Sequence, residues 1–342
     1  MKVNFKAVFL SILTLIYSFL VFMHICLANT KLHIKLSGSI ALAQFYSFPT
    51  LFGFIMAVIA LIVLLVLLRK YIKTKAKSSL FSLICWGIIL IFSILFIFLS
   101  PVKTKTKLKS SAGEGIKIVE FNTQNNLSQS SFDKIFKDFD ADIAVFPELS
   151  LNATTKHKSV EVLFANSGVD IDNYNLYSSS DMPTNIAPVT VITKKSLDEY
   201  KLIEGQPETT FGTVILQAQA AEQADIIAVH TYPPIPPYMF LWKNDLNIIT
   251  DKLAKNYPNA LIIGDFNANL KHTSLNKIIR HEDALSAESI FKRGTWPSNL
   301  PLALRANIDH ILLPKDKYKV LDINIKDLEN SDHCAIFLEI NQ

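Results

Sequence analysis

Apolar positions follow two different rules along this chain. Over the first hundred residues they run unbroken: 7–28 ("AVFLSILTLIYSFLVFMHICLA"), 40–68 (ending "FIMAVIALIVLLVLL") and 79–99 ("SLFSLICWGIILIFSILFIFL") hold no Asp, Glu, Lys or Arg. Each reaches the ~20 residues a helix needs to cross the hydrocarbon core of a bilayer. In lipid only a closed backbone hydrogen-bond ladder survives. The pattern therefore predicts three transmembrane helices, at 7–28, 48–68 and 79–99. The first run also resembles a signal peptide, with "CLA" as its cleavage motif.

Past residue 115 the apolar runs shorten and alternate in character. β-Branched bursts predict strands at 116–121, 142–149, 187–194, 212–219, 225–231, 260–266, 307–313 and 334–340. Between them, Phe132, Ile135, Phe136 and Phe139 keep the i, i+3, i+4, i+7 spacing of a helix over 130–139. Further helices fit 239–256, which stops before Pro258, and 274–286. Many of the strands are apolar without alternation, the mark of strands buried on both faces. Strands and helices interspersed in this way predict an α/β (α+β) fold of sheets covered by helices. The expected organisation is a membrane domain at 1–100, a basic linker at 101–113 and a second domain at 114–342.

Charge sharpens that division. Residues 1–110 contain 13 Lys and Arg and no acid, whereas 111–342 carry all 30 acids beside 21 bases, a balance of −9. Between the second and third spans, "RKYIKTKAK" holds five bases, against two in "NTKLHIKLSGS" between the first and second. The positive-inside rule then puts the basic connection in the cytoplasm. That predicts an integral protein of the inner or plasma membrane with the acidic domain on the non-cytoplasmic side. Uncharged span interiors argue against a channel or transporter. The acidic domain also lacks the basic clusters with which proteins hold nucleic acid by counterion release. Of three cysteines only Cys334 lies in that domain, so no disulfide forms within it.

Polar residues gather where the strands end. Asn122 follows "IKIVEF", Glu148 follows "IAVFP", His230 closes "IIAVH", and Asp265 and Asn267 leave "ALIIGDFNA". Asp309 stands in "NIDHILL", and Asp332 and His333 precede "CAIFLEI". Carboxylates, amides and imidazoles converging on one rim are what metal-assisted phosphoryl chemistry needs. A hard cation such as Mg²⁺, or Mn²⁺, takes oxygen ligands and keeps several waters, so Glu148 with Asp332 would suffice. Asp265 would take the proton of an attacking water. Asn122 and Asn267 would orient ligands or donate to phosphate oxygens. His333, held by Asp309, would face the phosphoryl group as an imidazolium, and His230 would protonate the leaving group. A loop at 291–310 adds Arg293, Trp296 and Arg305 as candidates for gripping the phosphate and stacking on the substrate. His310 neighbours Asp309 and should point to the opposite face of a strand.

The set "EFN", "PEL", "GDFNA", "IDHILL" and "SDH" resembles the endonuclease/exonuclease/phosphatase superfamily, which includes DNase I-like nucleases, sphingomyelinases and inositol-polyphosphate phosphatases. The likeness covers residues 114–341 in the family's order. It implies a four-layer α/β sandwich with two central mixed sheets and a Mg²⁺-dependent site at one rim. It also implies that Glu148 binds metal, Asn122 and Asn267 position metal and phosphate, Asp265 acts on the nucleophile, Asp309 pairs with His333, and Asp332 supports the metal or that histidine. His230 matches the histidine of DNase I-like and sphingomyelinase-like members. The expected substrate is a phosphodiester or phosphomonoester (nucleic acid, lipid headgroup or small ester), and the bilayer is the one other partner implied. A catalytically silent binding domain of the same fold is the alternative; its usual signature, a gap in the acid–amide–histidine set, is missing here.

Overall fold

A computed structural model describes residues 5–100, 115–152, 158–180 and 186–341. The expected linker, 101–113, lies outside them. Among the described residues three helices are long and apolar enough to cross a membrane: α1 (Phe5–Cys26), α4 (Pro49–Thr74) and α5 (Lys77–Leu99). At 1.5 Å per residue each spans the ~30 Å of a hydrocarbon core. Large apolar side chains such as Phe9, Val66 and Ile91 point outward and are exposed, as lipid-facing positions should be. Val21, Ala60, Ile89 and Phe96 pack inside the bundle. A buried hydrogen bond between the Tyr17 hydroxyl and Ser93 Oγ, 2.8 Å, joins α1 to α5.

The connection between α1 and α4 folds into two short helices, α2 (Lys31–Ser37) and α3 (Ile40–Ser47), that hydrophobicity alone did not predict. They dock on the rest of the protein, with Ala43 of α3 in the outer core of the second sheet. The second basic connection is tighter than a loop: α4 continues through Thr74 and ends at Lys75 in the left-handed conformation.

Twelve strands follow in two six-stranded sheets among the described residues. β1 (Gly115–Glu120), β2 (Ile143–Phe146), β3 (Tyr174–Ser178) and β4 (Thr190–Lys194) join the first sheet, with α6 (Gln129–Asp133) and α7 (Val160–Ser167) between them. β5 (Tyr200–Leu202), β6 (Thr213–Ala218), β7 (Ile226–His230), β8 (Leu261–Asp265), β9 (His281–Asp283) and β10 (Asp309–Pro314) form the second. α8 (Met239–Asn247) lies between β7 and β8 and continues through a π-helical stretch, Ile248–Leu253, to α9 (Ala254–Asn256). β11 (Val320–Asp327) and β12 (Cys334–Asn341) return to the first sheet.

The orders are β11-β12-β1-β2-β4-β3 and β5-β6-β7-β8-β10-β9. Each sheet has one parallel pair at its centre, β1 with β2 and β7 with β8, flanked by antiparallel neighbours. Ile118, Val145, Ala228, Ile263, Ile311 and Ile336 fill the space between the sheets. On the outer faces, Phe121 and Phe146 pack under Phe132, Phe136 and Phe164, while Ile227 and Ile262 pack under Trp242, Leu246 and Ile249. Helices, sheet, sheet and helices make the four layers expected. Each fully buried apolar side chain of this kind contributes about 1.5–3 kcal/mol relative to exposure.

The helix expected over 274–286 does not form. A 3-10 turn at Leu275–Lys277, strand β9 and a second 3-10 turn at Ala284–Ala287 stand there instead. Tertiary partners override the spacing: His281–Asp283 pairs with β10, and Asn276 Nδ2 donates to the Ala28 carbonyl of the membrane connection.

Candidate active site

Alternation along the strands sorts the polar ends. Ile116 and Ile118 face the inter-sheet core, so Glu120 does too; Ala228 leads to His230, Ile263 to Asp265, and Ile311 back to Asp309. The carboxyl ends of the parallel pairs and the amino ends of β10 and β12 thus place one row of ionisable groups at a single rim of the inter-sheet core. Parallel-sheet proteins use that position for ligands.

Gly264 makes the closest approach possible. Its φ is +142°, and a Cβ there would lie 2.0 Å from the Val229 carbonyl oxygen. The bare backbone lets β8 run against β7, with His230 paired to Asp265 in register. Beyond the strand, Asp265 Oδ1 accepts the Asn267 N–H at 2.7 Å, an Asx turn that fixes the carboxylate. Asn267 and Glu148 both hold left-handed backbone, φ +46° and +57°, a conformation uncommon for side-chain-bearing residues and enriched at functional sites. Thr123 Oγ1 and the Asn125 N–H anchor the Glu148 carbonyl, each at 2.6 Å.

Asn122 ties the two halves together. Its amide nitrogen donates to Glu148 Oε1 at 3.2 Å and to Asp265 Oδ2 at 3.0 Å, so its nitrogen and not its oxygen faces the carboxylates. Asn267 Nδ2 donates to the Thr231 carbonyl at 3.0 Å. This amide, expected to orient ligands or donate to phosphate oxygens, uses one N–H to pin the loop after β7 to the loop after β8.

His333 Nδ1 lies 3.0 Å from both Asp309 oxygens, and its Nε2 lies 3.8 Å from Asp265 Oδ2 and from Asp332 Oδ1. Burial alone would lower its proton affinity, but Asp309, Asp265 and Asp332 outweigh it and raise the ring to about 10. The three carboxylates around the ring thus favour its imidazolium form. His230 is the opposite case: burial, reinforced by the His333 charge, lowers it to about 3. Its Nε2 lies 3.6 Å from Asp265 Oδ2 and 3.7 Å from Glu148 Oε1. Burial thus works against the charged ring that the leaving-group acid expected from sequence would need. Burial and the Asp309 carboxylate push Asp265 upward, against the pull of His333, Asn267 and Asn122. Burial raises Glu148 as well.

Glu120 escaped the sequence reading because a lone acid in "IKIVEF" resembles an ordinary strand residue. It is fully buried, its oxygens have no hydrogen-bond partner among the described residues, and burial with Asp309 and Asp265 raises it strongly. Asp332 Oδ1 is likewise buried without a partner. Five carboxyl groups thus crowd one imidazolium. Ligand atoms of Asp265, Asp309 and His333 all lie within 4.8 Å of one another, and a carboxyl-rich set with buried oxygens lacking hydrogen-bond partners fits a hard divalent cation.

Trp296 reaches the rim. Its Nε1 donates to Asp332 Oδ2 at 2.9 Å, and its ring lies 6.5 Å from that of His333. The two arginines do not. Arg305 spends its guanidinium on Asp327, Ser298 O and Leu300 O, and Arg293 donates to Ser286 O and Glu288 O. They brace the 286–305 loop, a role invisible without the acceptors. His310 turns away, as expected, to Asp283 and the Ala268 carbonyl. Asp245 was also missed: its oxygens accept from Thr210 N and Oγ1 and from Tyr232 N, anchoring the cleft wall.

The His333–Asp309 pair carries a pH signature. A ring raised from 6.5 to about 10 on folding adds stability that is complete below its unfolded value and is lost as pH rises through about 10. Asp309→Asn should therefore flatten the fall in thermal midpoint between about pH 7 and about pH 10 in EDTA buffer. An unchanged slope would place the proton elsewhere.

Residues 119–333 match the model of the Endonuclease/Exonuclease/phosphatase family. No curated protein sequence matches the chain. Among solved structures, truncated TDP2 of Caenorhabditis elegans is similar at 15% identity, covering 67% of this chain and 98% of its own, with a TM-score of 0.46. An endonuclease/exonuclease/phosphatase from Beutenbergia cavernae DSM 12333 is similar at 11% identity, covering 67% and 72%, with a TM-score of 0.49.

Proposed function

This chain belongs to the Endonuclease/Exonuclease/phosphatase family, and from that premise we propose that it is a membrane-anchored, Mg²⁺-dependent phosphoester hydrolase. In this reading residues 1–100 anchor it, 101–113 link, and 114–342 form a catalytic domain on the non-cytoplasmic side. The observation that carries the proposal is the His333 ring, locked through Nδ1 by Asp309 at 3.0 Å and held 3.8 Å from the Asp265 carboxylate at a carboxyl-rich rim.

Glu148 and Asp332 would hold the cation, with Asn122 keeping Glu148 in place. When bound, a divalent cation supplies charge neutralisation on phosphate oxygens and lowers the pKa of water. Asp265 takes a proton from the attacking water as the water oxygen forms its bond to phosphorus. Its raised proton affinity suits a base, and the Asx turn fixes its direction. The ester P–O bond breaks, and the leaving oxygen takes a proton from solvent at the cleft mouth. His333 donates through Nε2 to a phosphoryl oxygen and stabilises the charge that develops there. Asp309 holds that ring in one orientation. His230, neutral, borders both carboxylates without adding charge.

Purified full-length chain should hydrolyse bis(p-nitrophenyl) phosphate in detergent. EDTA should cut the rate by at least ~10²-fold, and Mg²⁺ or Mn²⁺ should restore it. Full turnover by metal-stripped protein would overturn the reading.

A further inference from the structure

The domain does not hang free from its anchor. Asn269 Nδ2 donates to the Tyr46 carbonyl at 2.6 Å, the Thr273 N–H to Ser37 Oγ at 3.0 Å, and Lys271 Nζ to the Leu99 carbonyl at 3.2 Å. Ala43 of α3 is buried with Trp242 and Phe266 in the outer core of the second sheet. Two segments that border the cleft also meet the head of the bundle. On one side Gln44 Nε2 donates to the Pro234 carbonyl at 3.0 Å. On the other Trp296 packs on Phe48, the residue that caps α4, at 5.9 Å. The cleft therefore opens where the second span begins.

Its walls suit an amphiphile. The cleft is about 430 Å³, and Phe211, Tyr232, Pro233 and Ile235 line it above the charged floor of Glu148, Asp265 and His333. None of the described residues lining it is Lys or Arg, so it offers no track for a polyanion. From its lip runs "IPPYMF", in which Ile235, Tyr238 and Phe240 are 44%, 47% and 61% exposed. An exposed run of this kind, rich in aromatic rings and rimmed by polar residues, marks a membrane or partner contact. Aromatic side chains concentrate at the headgroup level of bilayers. Because Gln44 ties this loop to the head of the spans, the occupant it fits is the adjacent leaflet.

We propose that the substrate is the headgroup phosphoester of a lipid in the bilayer that anchors the chain, and that the 235–240 segment, which runs from the loop after β7 into the first turn of α8, sits in the interface of that bilayer to admit it. This rests on the hydrolase reading above. Full-length protein is reconstituted in vesicles of phosphatidylcholine, phosphatidylethanolamine, phosphatidylglycerol and phosphatidylinositol phosphate. The readouts are release of water-soluble headgroup product and turnover of bis(p-nitrophenyl) phosphate. Tyr238→Ser with Phe240→Ser should lower lipid turnover at least ~10-fold while soluble turnover stays within about twofold. Separately, the fluorescence added by Phe240→Trp should be quenched by brominated phosphatidylcholine. Soluble turnover without lipid turnover, equal loss of both, or absent quenching would overturn the inference and leave the hydrolase standing. Loss of both activities in the parent protein would instead remove the hydrolase reading.

Discussion

His333→Ala is expected to lower turnover of bis(p-nitrophenyl) phosphate by about 10²–10⁴-fold, the range seen when a preorganised charge donor is removed. The size follows from geometry. Nδ1 is bound to both oxygens of Asp309, so the ring has one orientation and one free N–H, and the surrounding carboxylates keep it protonated. Alanine also leaves Asp309 buried without its cation, which costs about 3–5 kcal/mol and threatens the fold. His333→Asn separates the two effects, since its amide nitrogen takes the place of Nδ1 against Asp309 but brings no charge. Both variants should lose activity alike, while thermal unfolding should show the asparagine protein closer to the parent. Turnover within tenfold of the parent in a folded His333→Asn protein would remove the imidazolium from the chemistry.

Gly264→Ala should cost more than any surface change, about 4 kcal/mol or more. The added methyl would meet the Val229 carbonyl oxygen at 2.0 Å, and alanine disfavours a φ of +142°. Neither strand has room to retreat, because β7 and β8 are the central pair of their sheet. For a domain of this size the loss corresponds to a thermal midpoint lower by roughly 10 °C. The same displacement would part His230 from Asp265, so residual folded protein should have reduced turnover. A midpoint within a degree or two of the parent would mean that the strands separate at little cost.

Much of this was legible in the sequence because strand ends and apolar runs are local signals. The three spans, the central strands, and Glu148, Asp265 and His333 each announce themselves within a few residues. What stayed hidden depends on distant partners. Arg305 in a loop beside Trp296 resembles a phosphate grip until Asp327 is seen to hold it. Leu275, Ile278 and Leu285 keep a helix-like spacing, yet the membrane connection and β10 claim the segment. β11 is an edge strand in which Asp322, Asn324 and Lys326 alternate with Ile323 and Ile325, so it lacks the unbroken apolar run that marked most of the other strands. Glu120 looks like any strand residue until Asp309 and Asp265 are placed around it.

The docked α2–α3 connection has a consequence in time. Ser37 and Tyr46 emerge from the ribosome 236 and 223 residues before Thr273 and Asn269, the groups that satisfy them. At about 5–20 residues per second, that is a wait on the order of 10–50 s. During this interval the bundle presents an unfinished socket, and mature geometry at the anchor is reached only after the last third of the chain has been synthesised.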